Sequence, residues 1–103
     1  MKIIAIAIFL LAVSLVYAGA PEGKALFASK CQACHGANGE GKASIAKMYG
    51  VTMHPLGSKE IQTKPDAGLK KTIIEGHGKM KPVGGLDDKQ VADVIAFVRT
   101  LKE

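Results

Sequence analysis

A third cysteine, a β-rich run beyond residue 20 and a second pair of metal-ligating residues are all missing from this 103-residue chain. Each absence closes off a reading of Cys31 and Cys34. A tetrahedral zinc site takes a second pair of ligands, and His54 and His77, 23 residues apart, are no such pair. A thioredoxin-like dithiol needs a strand before it and a βαβ frame around it, whereas Gly23 to Lys30 reads as helix. No cysteine directly follows the apolar N-terminal run, which argues against a lipid anchor. The formal charge is +5, from 14 Lys+Arg against 9 Asp+Glu. It does not come as a long basic run with interleaved aromatics, so nucleic acid is a poor partner. Internal repeats and low-complexity tracts are absent as well.

What is present begins with a leader. Lys2 supplies a small positive region, Ile3 to Val16 is apolar except for Ser14, and Val16-Tyr17-Ala18 or Ala18-Gly19-Ala20 offers small residues for cleavage. Residues 1–20 are therefore expected to be a signal peptide, cut after Ala18 or Ala20, with one domain over 21–103. The run is shorter than the ~20 residues a bilayer span usually needs; an uncleaved anchor is the alternative. The expected destination is the bacterial periplasm, with a soluble product. Cleavage leaves 83 to 85 residues and removes Lys2, so 13 basic residues face 9 acidic ones. A chain this short buries only about 60–65% of its unfolded surface and often needs a staple.

Cys31-Gln32-Ala33-Cys34-His35 carries the chemistry. At the spacing Cys-x-x-Cys-His, two thiols bond to the vinyl groups of a haem and the adjoining histidine ligates its iron. Cysteines three apart share one side of a helical turn. Export suits this, because the thiols leave cytosolic reducing conditions. A structural disulfide remains an alternative and would leave His35 unexplained. The expected cofactor is thus one covalent haem c with its iron, held by Cys31 and Cys34 and ligated by His35. It would also give short helices an apolar disc to pack on.

Helices dominate the rest. Pro21 suits a first turn, Glu22 favours the positive end of the helix dipole, and Gly23, Phe27 and Cys31 share a face, predicting a helix from Pro21 to Cys34 ended by Gly36. Ala37 to Lys42 reads as a glycine-rich loop. Asp87 and Gln90 form a capping-box pattern with Leu86 and Val91 as a staple. Val91, Val94, Ile95, Val98 and Leu101, widened by Phe97, then make the apolar stripe of a last helix. Between these, Ser44 to Tyr49 reads as a helical turn and Met53 to Gly57 as a loop built on Pro55. Asp66 is expected to cap a helix running to Glu75, with Leu69, Ile73 and Ile74 inward and Gly76 ending it. Gly76 to Gly85 is irregular. The fold class is all-α with long loops.

The sixth iron position decides function: open, it binds small molecules or peroxide; filled by a side chain, the iron exchanges electrons. Met80, in Met80-Lys81-Pro82, is the chosen ligand, a soft thioether that favours ferrous iron. Pro82 fixes φ and keeps Lys81 extended, and 45 residues from His35 are ample to reach the metal. Most methionines are core filler, but this one lies in a Gly/Pro-rich loop between helices. Met53-His54-Pro55 repeats the Met-x-Pro pattern and is a rival, suited instead to the histidine side. His77 and His54 are further rivals for a bis-histidine site.

These features resemble the small soluble single-haem cytochrome c family. The resemblance spans about residues 21 to 102 and rests on Gly23, Phe27, the run Cys31 to Gly36, Met80-Lys81-Pro82 and the helix from Val91 to Leu101 with Phe97. It implies a small cytochrome c-like fold whose N- and C-terminal helices cross and pack around the haem, with Gly23 against Phe97 and Phe27 nearby. It also implies that the Pro55 carbonyl accepts the proton-bearing nitrogen of His35, orienting the ligand. The family's usual large aromatic in the middle region is reduced here to Tyr49.

The expected function is that of a one-electron carrier with His35/Met80 ligation, not an enzyme: no substrate enters and no catalytic residue is nominated. Redox proteins would dock at the haem edge, through acidic patches opposite a basic rim of Lys79 and Lys81, extended by Lys42, Lys70 and Lys71. A solvated surface is the competing reading of Lys70 and Lys71. The chain is expected to be monomeric. The rival functions are a small haem enzyme or gas sensor with an open sixth site, and a fixed electron-transfer subunit of a membrane complex.

Overall fold

The computed structural model describes residues 18–103. Most of the expected signal peptide lies outside the described residues. Among those described there are six helices and no strand: α1 (Ala20–Lys30), α2 (Gln32–His35), α3 (Ala43–Tyr49), α4 (Lys59–Gln62), α5 (Asp66–Glu75) and α6 (Asp88–Thr100).

The first predicted helix is two pieces. α1 starts behind Gly19, whose φ of 92° is left-handed, carries Pro21 and Glu22 in its first turn, and stops at Cys31 (φ −119°). α2 resumes for one turn and ends at Gly36. The joint falls on the first cysteine of the motif. Cys31 still donates its N–H to Phe27 O at 2.8 Å, and its carbonyl accepts the His35 N–H at 3.0 Å, so the chain keeps its direction across the break.

α6 forms as the sequence predicts. Asp87 Oδ1 accepts the Gln90 N–H at 2.8 Å, and Gln90 Oε1 accepts the Asp87 N–H at 2.9 Å. These reciprocal bonds satisfy donors that a helix start would otherwise leave orphaned. α5 departs from expectation at its start, where Pro65 takes the capping position and Asp66 is the first helical residue. The Asp66 carboxylate is drawn instead to Arg99. Ile74, expected inward, is 45% exposed, whereas Ile73 packs on the core. α4 was not legible, since a single turn is too short to show a period.

The core lies between α1 and α6. Every buried apolar side chain among the described residues belongs to one of these helices: Ala20 and Phe27 on α1, and Val91, Val94, Ile95, Phe97 and Val98 on α6. A Cβ on Gly23 would collide with the Asp93 carbonyl oxygen and lie 3.0 Å from the Val94 nitrogen, so the two backbones touch there. Gly23 thus meets the Asp93–Val94 backbone, one turn before Phe97 on α6. Phe97 meets Phe27, with ring centroids 5.1 Å apart and planes tilted 55°, an arrangement suited to the ring quadrupoles.

The middle of the chain is tied to α6 by polar bonds. Gln62 Nε2 donates to Leu56 O and Val98 O, both at 2.9 Å. Arg99 donates to Gln62 O, Lys64 O and Asp66 Oδ1. The Glu103 N–H reaches Gly57 O at 3.0 Å.

Candidate functional site

Cys31, Cys34 and His35 are brought together by α2 and its joint with α1. Both thiols are free; Cys31 is half-buried and Cys34 exposed. Burial raises the Cys31 thiol above its ordinary pKa and keeps it protonated. His35 is half-buried, and burial lowers its pKa below the usual histidine value. The neutral imidazole is thereby favoured, which is the form with a lone pair for a metal.

The chain then doubles back over this segment. Gly36 and Gly41 take left-handed φ values of 83° and 81°. The Gly41 N–H donates to His35 O at 2.7 Å and the Lys42 N–H to Cys34 O at 3.1 Å, which satisfies the carbonyls at the end of α2. Glu40 accepts the Asn38 N–H at 2.9 Å. Its carboxyl pKa is lowered by bonds from its own and the Asn38 backbone N–H groups, with Lys42 adding to this.

Met53 packs beside this return, its Cβ 3.2 Å from where a Cβ on Gly41 would sit. That places it against the glycine-rich return that follows α2. The expected Pro55–His35 bond is not formed. The Pro55 carbonyl accepts the Ser58 N–H at 3.0 Å, and His35 Nδ1 is buried with no hydrogen-bond partner.

Met80 lies on a separate loop. Its N–H donates to His77 O and its carbonyl accepts the His77 N–H, both at 2.9 Å, closing a turn through Gly78 and Lys79. Gly76 is pressed against Met80 O and Pro82, and the Val83 N–H reaches Ile73 O at 2.8 Å, pinning the loop to α5. Met80 is half-buried; His77, Lys79, Lys81 and Pro82 are exposed, as is His54. The described hydrogen bonds join Met80 to His77 and none joins it to Cys31, Cys34 or His35. Of the proposed basic rim, Lys42, Lys71, Lys79 and Lys81 are exposed, while Lys70 Nζ is 3.3 Å from Asp88 Oδ1.

Residues that fit a covalent haem are thus in place: two free thiols three positions apart, and beside them a neutral imidazole whose other ring nitrogen is held out of water. Sequence reasoning missed Arg99, Gln62 and Glu40, whose long-range and loop contacts have no periodic signal. Arg99 is the one arginine in the chain, a hint of a fork-shaped contact that lysine does not make.

The cytochrome c family model matches residues 20–102. The chain is 31% identical over 80 residues to a thiosulfate dehydrogenase of Psychrobacter arcticus, covering 73% of this chain but 24% of that protein. It is 30% identical over 88 residues to cytochrome c-554(547) of Halothiobacillus neapolitanus, covering 81% of this chain and 97% of that one. The solved structure of cytochrome cL from Hyphomicrobium denitrificans superposes with a TM-score of 0.66 at 27% identity, over 85% of this chain and 50% of that one. The chain thus spans a quarter of the first relative and half of the solved structure.

It belongs to the cytochrome c family. Its cofactor class is therefore a covalent c-type haem with iron. No helix among the described residues is long and apolar enough to cross a membrane.

Proposed function

We propose that this chain is a diffusible one-electron carrier, with Cys31 and Cys34 as the thioether attachments, His35 as one axial ligand and Met80 as the other. The observation that carries it is the Cys31–His35 segment, where two free thiols adjoin a half-buried imidazole whose pKa burial lowers. When bound, the haem supplies a one-electron iron couple.

The chain's own residues hold and shield it. Cys31 and Cys34 prevent its loss, and His35 offers a lone pair kept free by burial. Met80 sits on a loop anchored by backbone bonds on both sides, which favours one fixed position over a mobile one. Met80 held there would leave the iron no open position for an exogenous ligand, and no catalytic residue is assigned. The exposed Lys79 and Lys81 flank the Met80 ligand and, with Lys42 and Lys71, would steer the chain onto an acidic patch of a redox partner. Lys70 is left out of this rim because it pairs with Asp88. Residues 1–20 act as the export leader, cut after Ala18 or Ala20, and the product is a periplasmic, soluble monomer.

The test is the far-red thioether-to-iron absorption band of the ferric holoprotein. It is expected in the wild type and in Met53→Ala and to vanish in Met80→Ala. Retention of the band in Met80→Ala, or its absence from the wild type, would overturn the ligand assignment.

A further inference from the structure

Asp93 is the one charged residue buried among those described, at 8% exposure. It lies on α6, where the backbone meets α1. Its Oδ2 accepts from Lys89 Nζ at 2.9 Å, but that lysine side chain is 78% exposed against 12% for the aspartate. A carboxylate this withdrawn from water needs close positive charge, and a hydrated surface lysine supplies little of it.

The other carboxylate oxygen faces Gly19. A Cβ there would collide with Oδ1 and lie 3.2 Å from Cγ. The Gly19 nitrogen shares that Cα, so ordinary bond lengths bring it within about 5 Å of Oδ1. While Ala18 is attached, this nitrogen is an uncharged amide. Freed, it is an ammonium with three donors.

We propose that the leader is removed between Ala18 and Gly19, and that the α-ammonium group so released pairs with Oδ1 of Asp93. The proposal rests on residues 1–18 being an export leader. Hydrolysis by a leader-cleaving protease breaks the Ala18 C–Gly19 N bond, and water divides between the products. Its hydroxyl completes a carboxyl group on Ala18, whose proton, with the other from water, leaves Gly19 as an ammonium and Ala18 as a carboxylate.

The later site, after Ala20, is disfavoured by what the fold does with residues 19 and 20. The Gly19 carbonyl accepts the Gly23 N–H at 2.8 Å, an early bond of α1. Ala20 is buried. Cutting there discards both and leaves the exposed Pro21 as the terminus. Cutting after Ala18 keeps both and gives Asp93 a second cation. A positive charge at the start of α1 opposes the helix dipole, and Asp93 offsets this directly. Lys89 is held charged first by Asp93 and then by Glu22 on α1 and by Asp87, the cap of α6.

The experiment is intact-mass and N-terminal analysis of the holoprotein exported from its full-length precursor, followed by titration of its α-amine through the pH dependence of acylation. A terminus at Gly19 is expected; one at Pro21, at Met1 or elsewhere overturns the proposal. In Asp93→Asn the α-amine midpoint is expected to fall by about one pH unit, and an unchanged midpoint overturns the pairing. Should that variant not fold, Lys89→Ala leaves Asp93 with the terminus alone. Its α-amine midpoint is expected to stay above that of the denatured chain, and equality overturns the pairing. The same mass reports covalent haem independently, so failure of the carrier reading is distinguishable from failure of this one.

Discussion

Replacing Gly23 with alanine tests the contact on which the core depends. The added Cβ would run into the Asp93 carbonyl and the Val94 nitrogen, both backbone atoms within α6 that cannot swing aside as a side chain would. The helices would have to part by roughly 1–2 Å to restore normal separations. Overpacking of this kind costs about 1–3 kcal/mol. Parting also loosens the Phe27–Phe97 pair, an arrangement worth about 0.5–1.5 kcal/mol beyond its buried area. Against this, alanine gains about 1 kcal/mol of helix propensity over glycine. The balance is a loss centred on about 2 kcal/mol, which in a domain of this size lowers Tm by about 8–16 °C. Gly68 in α5 is the control, since a Cβ there meets only Pro65 at 3.8 Å. Gly68→Ala should keep the propensity gain and raise Tm by a few degrees. Thermal unfolding of the two holoproteins, followed by circular dichroism, reads both signs. A Gly23→Ala protein melting within about 2 °C of the wild type would refute the close approach of α1 and α6 at that point.

Other substitutions probe what holds the ends and loops. Asp87→Ala removes the side-chain acceptor of the α6 capping box and should cost about 1 kcal/mol in urea unfolding. Arg99→Lys keeps the charge but loses the fork that reaches Gln62 O, Lys64 O and Asp66 together; a loss of about 1–2 kcal/mol is expected, and Asp66→Ala should cost less because the two carbonyl contacts survive. Glu40 has a lowered carboxyl pKa, so its contribution is present above the ordinary glutamate value of about 4.3 and is lost as pH falls through its folded-state value. Glu40→Gln should therefore narrow the gap between Tm at pH 7 and Tm at pH 3, and an unchanged gap would count against a folded-state role for that carboxylate.

Several features of the site and fold are local enough to be read without coordinates. Cys31, Cys34 and His35 are adjacent in the chain, so their proximity follows from one helical turn. The capping box at Asp87 and the stripe from Val91 to Leu101 depend only on spacings of three and four. Gly36 and Gly76 end their helices because each takes a left-handed φ, a conformation glycine adopts without steric cost. Where contacts join distant segments, spacing has nothing to say. It does not place the Asp93–Val94 backbone against Gly23, because that depends on how far one helix slides along the other. It assigned Asp66 to a cap, although Arg99, 33 residues away, competes for the same carboxylate. It gave no sign that Lys70 pairs with Asp88, and it placed Ile74 inward although that side chain is 45% exposed. Local geometry is written into neighbouring residues by bond lengths and helical period; register between helices, and the partner each charge finds, are settled only when the whole chain packs.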